Sequence, residues 1–405
     1  MAYQSGEWVL VFREVRTERK MAEVKPPQLK WSLRNSEKGE MTCELPIGMT
    51  QYDGITPLRR DSIVPWHTDW YLYRGTNLRE SGIVTSINVA DDRDTVMVAG
   101  MSWLGYLEHR IYPFDPDAYV NDRDWESWPK MWGQGEATGV DLRIIVEDIL
   151  EAMLTATIDV PAGTIQASAN TPQFILANRN TGSDGRYKIL PGDETTIFEH
   201  IKKLAENSDG FEFDVLPQNL EFRMYVPNRD QGIPVYRFTK TERLVALDWT
   251  NEGPLATVST IYGTGSSLKR GIIRTDLESV RRYRWTDRVA NVGQVASQDA
   301  LEKAALGEQF EDRFPRKRAG FVIHDPELLS PNFWTFGRPR SLIGNRVRVT
   351  HDFGFHRVNA DYIIQALNFE IDEHGNESVS FEPEMINTPE TALEFGGGGG
   401  GFEPR

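Results

Sequence analysis

Hydrophobic and polar residues alternate through much of this chain, and the stretch Gly82–Arg110 shows the pattern most clearly. Between residues 83 and 89 apolar side chains occur at every second position, which predicts a strand with one buried face. The polar residues 91–94 predict a tight turn, and a second strand follows that is expected to end at Gly100. Residues 103–110 place apolar side chains at helical spacing and finish in a basic pair, which predicts a short helix. A hairpin of this kind needs other strands to cover its edges.

Strand patterns also dominate both sides of this stretch. The segment Leu29–Pro46 predicts a hairpin around a turn bounded by Asn and Gly, and Ser341–Pro383 predicts a longer hairpin. Between them, residues 140–154 have the apolar spacing of an amphipathic helix, and Thr196 with Glu199 fits the capping box of a second helix. The predicted fold class is therefore mainly β with an α+β insert.

The changes of pattern along the chain predict four parts. Residues 1–112 are predicted to form a small strand-rich barrel or sandwich. Residues 113–240 contain an irregular, tryptophan-rich excursion followed by the α+β insert. Residues 241–385 form a second strand-rich part with one helix. Residues 386–405 form a flexible tail in which Gly396–Gly401 act as a tether.

Length and composition narrow the class of protein. The 405 residues suggest about two to four domains, and 39% hydrophobic with 11% aromatic residues is enough for packed cores. No apolar run approaches the roughly 20 residues that a membrane-spanning helix needs, and the first residues carry no signal-peptide pattern. We therefore expect no membrane span, and a product that stays where it is made or is built into a larger assembly.

Charge and cysteine content limit the possible chemistry. The formal charge is −15, from 60 acidic and 45 basic residues. A negatively charged surface repels phosphate, which argues against tight nucleic-acid binding. The same charge suits a channel wall past which DNA slides. A role of the acidic residues in general solubility is the commoner explanation. Cys43 alternates with Met41 and Leu45, so we expect it to pack in the core. A single cysteine allows no internal disulfide and no CxxC zinc site.

Two patterns approach binding motifs without completing them. Residues 115–126 place acidic groups at positions one, three and twelve of a calcium loop, but Tyr119 and Val120 occupy the positions with the strictest geometry. Residues 133–139 approach a dinucleotide fingerprint but have one residue too many and no preceding strand. We therefore predict no catalytic, cofactor-binding or metal-binding residues, although the many acidic pairs leave a glycosidase dyad open.

Three tryptophans, Trp125, Trp128 and Trp132, lie close together in the irregular excursion. Such side chains can anchor a partner protein or stack on a sugar, and more often they pack on their own domain. We interpret them as buried or as part of a subunit interface, with sugar binding as the minority alternative.

The order of these patterns resembles that of the tail-hub proteins (tail-tip, baseplate-hub or minor tail proteins) of long-tailed bacteriophages, and of the hub half of spike proteins in contractile injection machines. The similar stretches are LKWSLRNSEKGEMTCELP at 29–46, GIVTSINV and VMVAGMSWLGYLEHR within 82–110, and SLIGNRVRVTHDFGFHRVNADYIIQALNFEIDEHGNESVSFEP at 341–383. The segment DETTIFEHIKKLAENSDGFEFDV at 193–215 is similar to the helix-then-strand insert of that family.

The resemblance implies two tail-tube-like β-barrel domains that flank a smaller mixed domain. Three such subunits form a pseudo-sixfold ring, which adapts a sixfold tail tube to a threefold tip and leaves a channel for DNA ejection. It also implies a non-enzymatic structural protein of the virion, without cofactors, made in the host cytoplasm and located at the tail tip. The expected partners are two further copies of the chain, a distal tail or tail-tube protein, the tape-measure protein, and tip or fibre proteins. DNA is expected to pass through without specific binding.

A second function from a different class stays open at this point. The chain could act as a tail-associated cell-wall hydrolase or as a carbohydrate-binding module that uses the tryptophan-rich excursion. Zymography on cell wall and a glycan-binding screen separate this alternative from a purely structural role.

Overall fold

The structure is a computed structural model of the chain. It describes residues 6–15, 17–59, 62–89, 94–113, 130–133, 140–160, 163–166, 172–176, 184–185, 187–189, 194–206, 211–225, 236–239, 244–252, 256–265, 268–275, 281, 286–294, 301–302, 305–306, 316–324, 343–352 and 357–385. Trp125, Trp128, the calcium-like loop at 115–126 and the glycine tether lie outside these residues.

Strands follow one another in the first part of the chain, most of them through short turns, as the alternating pattern predicts. Their ladder runs in the order β3-β4-β7-β6-β5-β1-β2, and neighbouring strands are antiparallel. The elements are β1 (Trp8–Glu14), β2 (Lys20–Val24), β3 (Gln28–Arg34), β4 (Glu40–Pro46), β5 (Thr68–Arg74), β6 (Asn77–Val89), β7 (Thr95–Ser102) and α1 (Trp103–Tyr106), which continues as a 3₁₀ turn at Leu107–His109.

The predicted end of the second strand at Gly100 is wrong, because β7 continues to Ser102. A Cβ atom at Gly100 would approach Nε1 of Trp70 to 2.6 Å. The indole of Trp70 is buried and donates to the carbonyl oxygen of Met101 at 3.2 Å. Gly100 therefore makes room for a large core side chain and does not terminate the strand.

Both predicted helices of the insert are confirmed. The carboxylate of Asp141 accepts from the backbone N–H of Arg143 at 2.8 Å and begins the first, and Thr196 with Glu199 forms the predicted capping box of the second. The elements are β8 (Lys130–Trp132), β9 (Val140–Asp141), α2 (Leu142–Thr155), β10 (Thr157–Val160), β11 (Gly163–Gln166), β12 (Ile175–Leu176), β13 (Asp184–Gly185), β14 (Tyr187–Ile189), α3 (Ile197–Ala205), β15 (Glu212–Leu216) and β16 (Glu221–Tyr225).

Strands return after the insert, which confirms the predicted class, mainly β with an α+β insert. They end in the predicted long hairpin, whose turn has Gly375 at a φ of +80°. The elements are β17 (Tyr236–Thr239), β18 (Leu244–Glu252), β19 (Val258–Gly265), β20 (Leu268–Thr275), β21 (Asp287–Gln294), β22 (Arg316–His324), β23 (Arg346–Asp352), β24 (Arg357–Ile371) and β25 (Glu377–Met385).

The chain divides into two compact units that do not follow sequence order. The first unit comprises the described residues within Met1–Val235, Val322–Arg346 and Ile364–Phe381; the second comprises those within Tyr236–Phe321, Val347–Ile363 and Glu382–Arg405. The predicted boundaries after residues 112, 240 and 385 stay a prediction.

In the first unit the last part of β24 pairs with β3, so that Ile371 lies opposite Leu29 and Leu367 opposite Leu33. The order of strands there is β25-β24-β3-β4-β7-β6-β5-β1-β2. The core of this sheet contains Trp31, which stacks on Phe369 with ring centroids 4.6 Å apart and planes at 7°. The C-terminal hairpin thus completes the sheet that the N-terminal strands begin.

The second unit contains a three-stranded sheet in which β19 pairs antiparallel with β20 and parallel with β21. Ile261 and Ala290 of this sheet pack against the helical residues Leu301 and Ala305. Elsewhere in the unit, β17 pairs parallel with β23, and Arg348 on β23 makes a two-pronged ion pair with Asp361 at 2.6 and 2.9 Å.

Candidate functional site

The sheet of the first unit curls until its distant strands touch. The indole of Trp8 on β1 lies 4.6 Å from the ring of Trp31 on β3. Trp8 also donates through Nε1 to Glu377 on β25 at 2.9 Å, and Arg74 on β5 donates to the other oxygen of that carboxylate at 2.8 Å. Strands at opposite ends of the ladder therefore meet, and the first unit contains a barrel-like β-structure.

A second set of contacts fixes the insert to this barrel. The carboxylate of Glu212 on β15 is buried and accepts from the side-chain amide of Asn35, in the β3–β4 turn, at 2.9 Å. The hydroxyl of Ser36 in the same turn accepts from the backbone N–H of Phe213 at 3.0 Å. Gly344, at a φ of +72°, lies so close that a Cβ atom there would overlap Oε2 of Glu212. We call this group of five residues the seam.

Helix α1 strengthens the same junction, because its apolar side chains belong to the core of the insert. Trp103, Leu104 and Leu107 share one hydrophobic cluster with Ile145 and Ile149 of α2. The barrel and the insert therefore share part of one core within the first unit, which makes the insert a fixed part of the barrel.

Of the three tryptophans that the sequence singled out, the structure describes Trp132. Its side chain is 6% exposed and packs in the insert core. Its Nε1 donates to Asp148 on α2 at 2.7 Å, and its ring meets that of Tyr112 edge-on, with centroids 6.3 Å apart. Trp132 thus follows the burial alternative, while the interface hypothesis for Trp125 and Trp128 stays a prediction.

Several large apolar side chains of the first strands and their connections are exposed: Ile47, Ile55, Val64, Trp66 and Val89. Their backbone is fixed to neighbouring strands, because the N–H of Ile47 donates to the carbonyl of Asp94 at 2.8 Å and that of Trp66 to the carbonyl of Val84 at 2.8 Å.

The most exposed of these side chains, that of Ile55, is carried by a hairpin at residues 49–58, which we call the arm. Its two sides pair through Thr50 and Pro57. The carboxylate of Asp53 accepts from the Thr56 hydroxyl at 2.6 Å and from the backbone N–H groups of Ile55 and Thr56 at 2.9 and 2.8 Å. These bonds lower the pKa of Asp53, and the bond from the Thr56 hydroxyl contributes most. The arm therefore carries a negative charge beside its tip.

The base of the arm is clamped to the barrel. The N–H of Tyr52 donates to the carbonyl oxygen of Glu23 on β2, and its hydroxyl donates to the carboxylate of Glu7 at 2.8 Å. The sequence pattern does not predict the arm, because the segment has the composition of a turn-rich connection. A sequence signal for the arm is the isoleucine between Gly54 and Thr56, because it lies in a segment where apolar and polar residues do not alternate.

A groove of about 470 Å³ opens on the side wall of the barrel, on the outward face of β3, β4, β24 and β25. Its rim carries both signs of charge, since Lys30 and Arg34 are basic and Glu40 and Glu370 are acidic, and Lys30 lies 2.8 Å from Glu370. The groove is lined by Lys30, Trp31, Ser32, Arg34, Glu40, Thr42, Val322, Asn368, Phe369, Glu370, Ser378 and Ser380.

Groups with reactive chemistry are few among the described residues. Cys43 is 1% exposed, as predicted, and burial raises the pKa of its thiol to about 12, so it is not a nucleophile at neutral pH. Burial, together with the nearby Glu18 carboxylate, raises the pKa of Asp69 to about 7. Within the described residues no group of three or more His, Cys, Asp or Glu side chains is placed to hold a metal ion. No described helix is long and apolar enough to cross a membrane.

Three solved tail proteins share this fold over nearly their whole length. The tail protein of Neisseria meningitidis is 12% identical, with a TM-score of 0.55 over 93% of this chain and 96% of that one. The 43 kDa tail protein of prophage MuSo2 from Shewanella oneidensis is 11% identical, with a TM-score of 0.57 over 95% and 99%. A prophage tail protein of Listeria monocytogenes is 9% identical, with a TM-score of 0.50 over 96% and 98%.

No protein-family model and no curated protein matches the sequence. At identities of 9–12% the similarity concerns the fold and leaves open the individual role. The chain therefore has the fold of these tail proteins.

Proposed function

We propose that this chain is a structural protein of a phage virion, a homotrimeric hub at the distal end of the tail. It adapts the sixfold tail tube to a threefold tip and surrounds the channel through which DNA leaves. The observation that carries the proposal is the fold shared with solved phage tail proteins over 93–96% of this chain and 96–99% of theirs. A fold shared across whole chains favours a common structural task more than a similarity limited to one domain.

The architecture suits this task. A closed ring of identical subunits needs units whose contact surfaces keep the same geometry in every copy. In the first unit, the Glu377 contacts close the barrel and the seam fixes the insert to it. A net charge of −15 favours a channel wall that does not adsorb DNA. We propose a distal tail or tail-tube protein, the tape-measure protein and tip or fibre proteins as its partners.

The test is electron microscopy of intact tails that carry a tag on this chain, combined with the mass of the purified protein. Tag density at the tail tip with threefold symmetry supports the hub. Density along the whole tail, or a copy number that is not three, contradicts it. Zymography on cell wall with the same purified protein tests the non-enzymatic part, because lysis that disappears after neutralising one carboxylate contradicts a purely structural role.

A further inference from the structure

We propose that β6 of one copy of this chain pairs edge to edge with β20 of the next copy, so that Val89 lies beside Ile273. This inference rests on the proposed ring and names the contact that joins its subunits. It commits the free edge of β6 to one partner, a strand of a second copy.

The last part of β6 has a strand on one side only. Pairing with β5 reaches Ile83, and the N–H of Trp66 then donates to the carbonyl of Val84 at 2.8 Å. Pairing with β7 continues to Val89. Among the described residues, none pairs with the other edge of residues 85–89. The backbone groups along this edge can therefore form a ladder with a further strand.

This edge lacks the protection that edge strands commonly have. Natural edges carry charges or proline, or are covered by a loop, which prevents pairing with other chains. Residues 85–89 contain neither a charge nor a proline, and the register shift between Val84 and Ser86 is confined to their start. At their end, the side chain of Val89 is 62% exposed. An edge with this composition is suited to the addition of a strand from a partner chain.

Strand β20 has a free edge in the second unit. It lies at the end of a three-stranded sheet, and β19 is its partner among the described strands. One face of this sheet packs on helical residues through Ile261 and Ile272. The other face carries Ile273, whose side chain is 69% exposed. Strand β20 therefore offers an unpaired backbone edge with a large exposed apolar side chain beside it.

Charge distinguishes β20 from other strands at the ends of sheets. The turn at residues 90–94, which joins β6 to β7, contains three aspartates and one arginine. Strand β20 contains one lysine, two arginines and no acidic residue, so its charge is opposite to that of the turn. Strand β18 contains two acidic residues and no basic one, and β21 contains one residue of each sign. Of these three strands, β20 complements the acidic turn.

Charge also sets the direction of the pairing. In an antiparallel pair with Ile273 opposite Val89, the first residues of β20, Lys269 and Arg270, lie beside the acidic turn at 90–94. The same register brings the two exposed apolar side chains together on one face, as directly opposed residues of an antiparallel pair are. Backbone bonds, an apolar pair and opposite charges therefore agree on one arrangement.

The two edges belong to different units, since β6 lies in the first and β20 in the second. A contact between them is heterologous, so each copy offers one edge of each kind, and successive contacts form a ring when the rotation between copies closes. Pairing between two β6 edges would be isologous and would stop at a dimer.

Disulfide formation between singly substituted chains tests the contact. Val89→Cys in one chain and Ile273→Cys in another place a thiol on each edge, so a link between these two positions must join two copies. Cys43 is 1% exposed and does not compete. Mixed and mildly oxidised, the two variants are expected to form a covalent heterodimer, which non-reducing electrophoresis and peptide mass spectrometry identify. The matched control replaces Ile273→Cys by Val289→Cys, because Val289 is 68% exposed on β21, at the opposite edge of the same sheet. The control is expected to stay unlinked.

Charge reversal gives a second readout, the self-association of the full chain by analytical ultracentrifugation and native mass spectrometry. Lys269→Glu combined with Arg270→Glu is expected to weaken association at least tenfold. Adding Asp91→Lys and Asp92→Lys to that variant is expected to restore association, because both signs are then exchanged. Loss of folding in the first variant would not be repaired by the second pair, so the rescue separates the contact from a structural effect.

A wild-type oligomer that does not link through residues 89 and 273, or that links equally through residue 289, overturns this contact and leaves the hub proposal standing. An association that is unaffected by the reversal at 269 and 270, or that is not restored by the second reversal, does the same. A wild-type chain that stays monomeric at high concentration also overturns the contact, and the tagged tails then decide the hub proposal separately.

Discussion

Trp8 and Glu377 are joined by a hydrogen bond of 2.9 Å between Nε1 and Oε1, although 369 positions separate them in the chain. Arg74 donates to the second oxygen of the same carboxylate at 2.8 Å. One side chain of the C-terminal hairpin therefore accepts from two N-terminal strands and closes the barrel.

Replacing Glu377 by Ala is expected to reduce the free energy of unfolding by about 1.5–3 kcal/mol, the range for hydrogen bonds to charged groups, because the acceptor for both donors is lost. Urea unfolding followed by tryptophan fluorescence measures the change. Glu373→Ala is the control, since Glu373 lies in the adjacent turn with a side chain that is 66% exposed; we expect a change within about 0.5 kcal/mol there. Equal effects at the two positions would argue that the barrel closes through other contacts.

Replacing Gly344 by Ala tests the seam. The new Cβ atom would overlap the carboxylate of Glu212, at a φ of +72° that already disfavours a side chain. Gly54→Ala is a matched control, because Gly54 has a φ of +70° and open space where its Cβ would lie. We expect about 1–2 kcal/mol for Gly54→Ala from backbone strain alone, and a distinctly larger loss for Gly344→Ala. Chemical denaturation of both variants measures the difference, and similar losses would show that the seam has room to adjust.

Asp69 is expected to make stability depend on pH. Its pKa is raised from an ordinary 3.8 to about 7 in the folded chain by burial, with the Glu18 carboxylate adding to the shift. Between these values the unfolded chain has released the proton and the folded chain still holds it, so stability falls as pH rises from about 4 to about 7. The shift corresponds to a loss of order 4 kcal/mol as an upper bound.

Asp69→Asn is therefore expected to flatten this part of the stability profile and to raise stability at pH 7 relative to the wild type. Asp53→Asn is the contrasting variant. The pKa of Asp53 is lowered, by the Thr56 hydroxyl first, so its contribution is present at neutral pH and is lost as pH falls through the folded pKa. Urea titrations at half-unit pH intervals measure both; an unchanged profile for Asp69→Asn would show that another group carries the dependence.

The tryptophans of the excursion are expected to separate into two kinds. Trp132→Ala removes a buried indole with a bond to Asp148 and should cost about 3–5 kcal/mol. For Trp125→Ala and Trp128→Ala we predict near-normal unfolding of the isolated chain and weaker assembly into tails. Thermal unfolding and incorporation into tails measure the two effects. A large loss of stability for Trp125→Ala or Trp128→Ala would mean that these rings are core residues as well.

The sequence predicts those features of the fold that depend on residues close to one another in the chain. The capping box of Thr196 and Glu199 needs only a spacing of three residues. The hairpin of β3 and β4 needs only alternation around a turn, and Cys43 is buried because it alternates with apolar residues. Gly100 marks the limit of local patterns. A glycine inside a strand pattern predicts the end of the strand, whereas this glycine makes room for Trp70, which lies 30 residues earlier.

The arm and the groove could not be predicted from local patterns. Ile55 lies in a segment without periodicity, so no pattern separates an exposed side chain from a buried loop residue. Its exposure of 83% and the hydrogen bond between Tyr52 and Glu7 are properties of the folded arm. The groove likewise combines residues near position 30 with residues near position 370.

The sequence by itself determined the strand-rich class, the helical insert and the local turns, because these depend on side-chain periodicity over a few residues. Tertiary structure alone decided that β24 pairs with β3, that Glu377 meets Trp8 and Arg74, and that Glu212 is buried against Asn35. Backbone hydrogen bonds are the same for every strand, and loop-closure entropy grows only slowly with separation. The choice of a partner strand hundreds of residues away therefore depends on how side chains pack in the finished core, which no local pattern encodes.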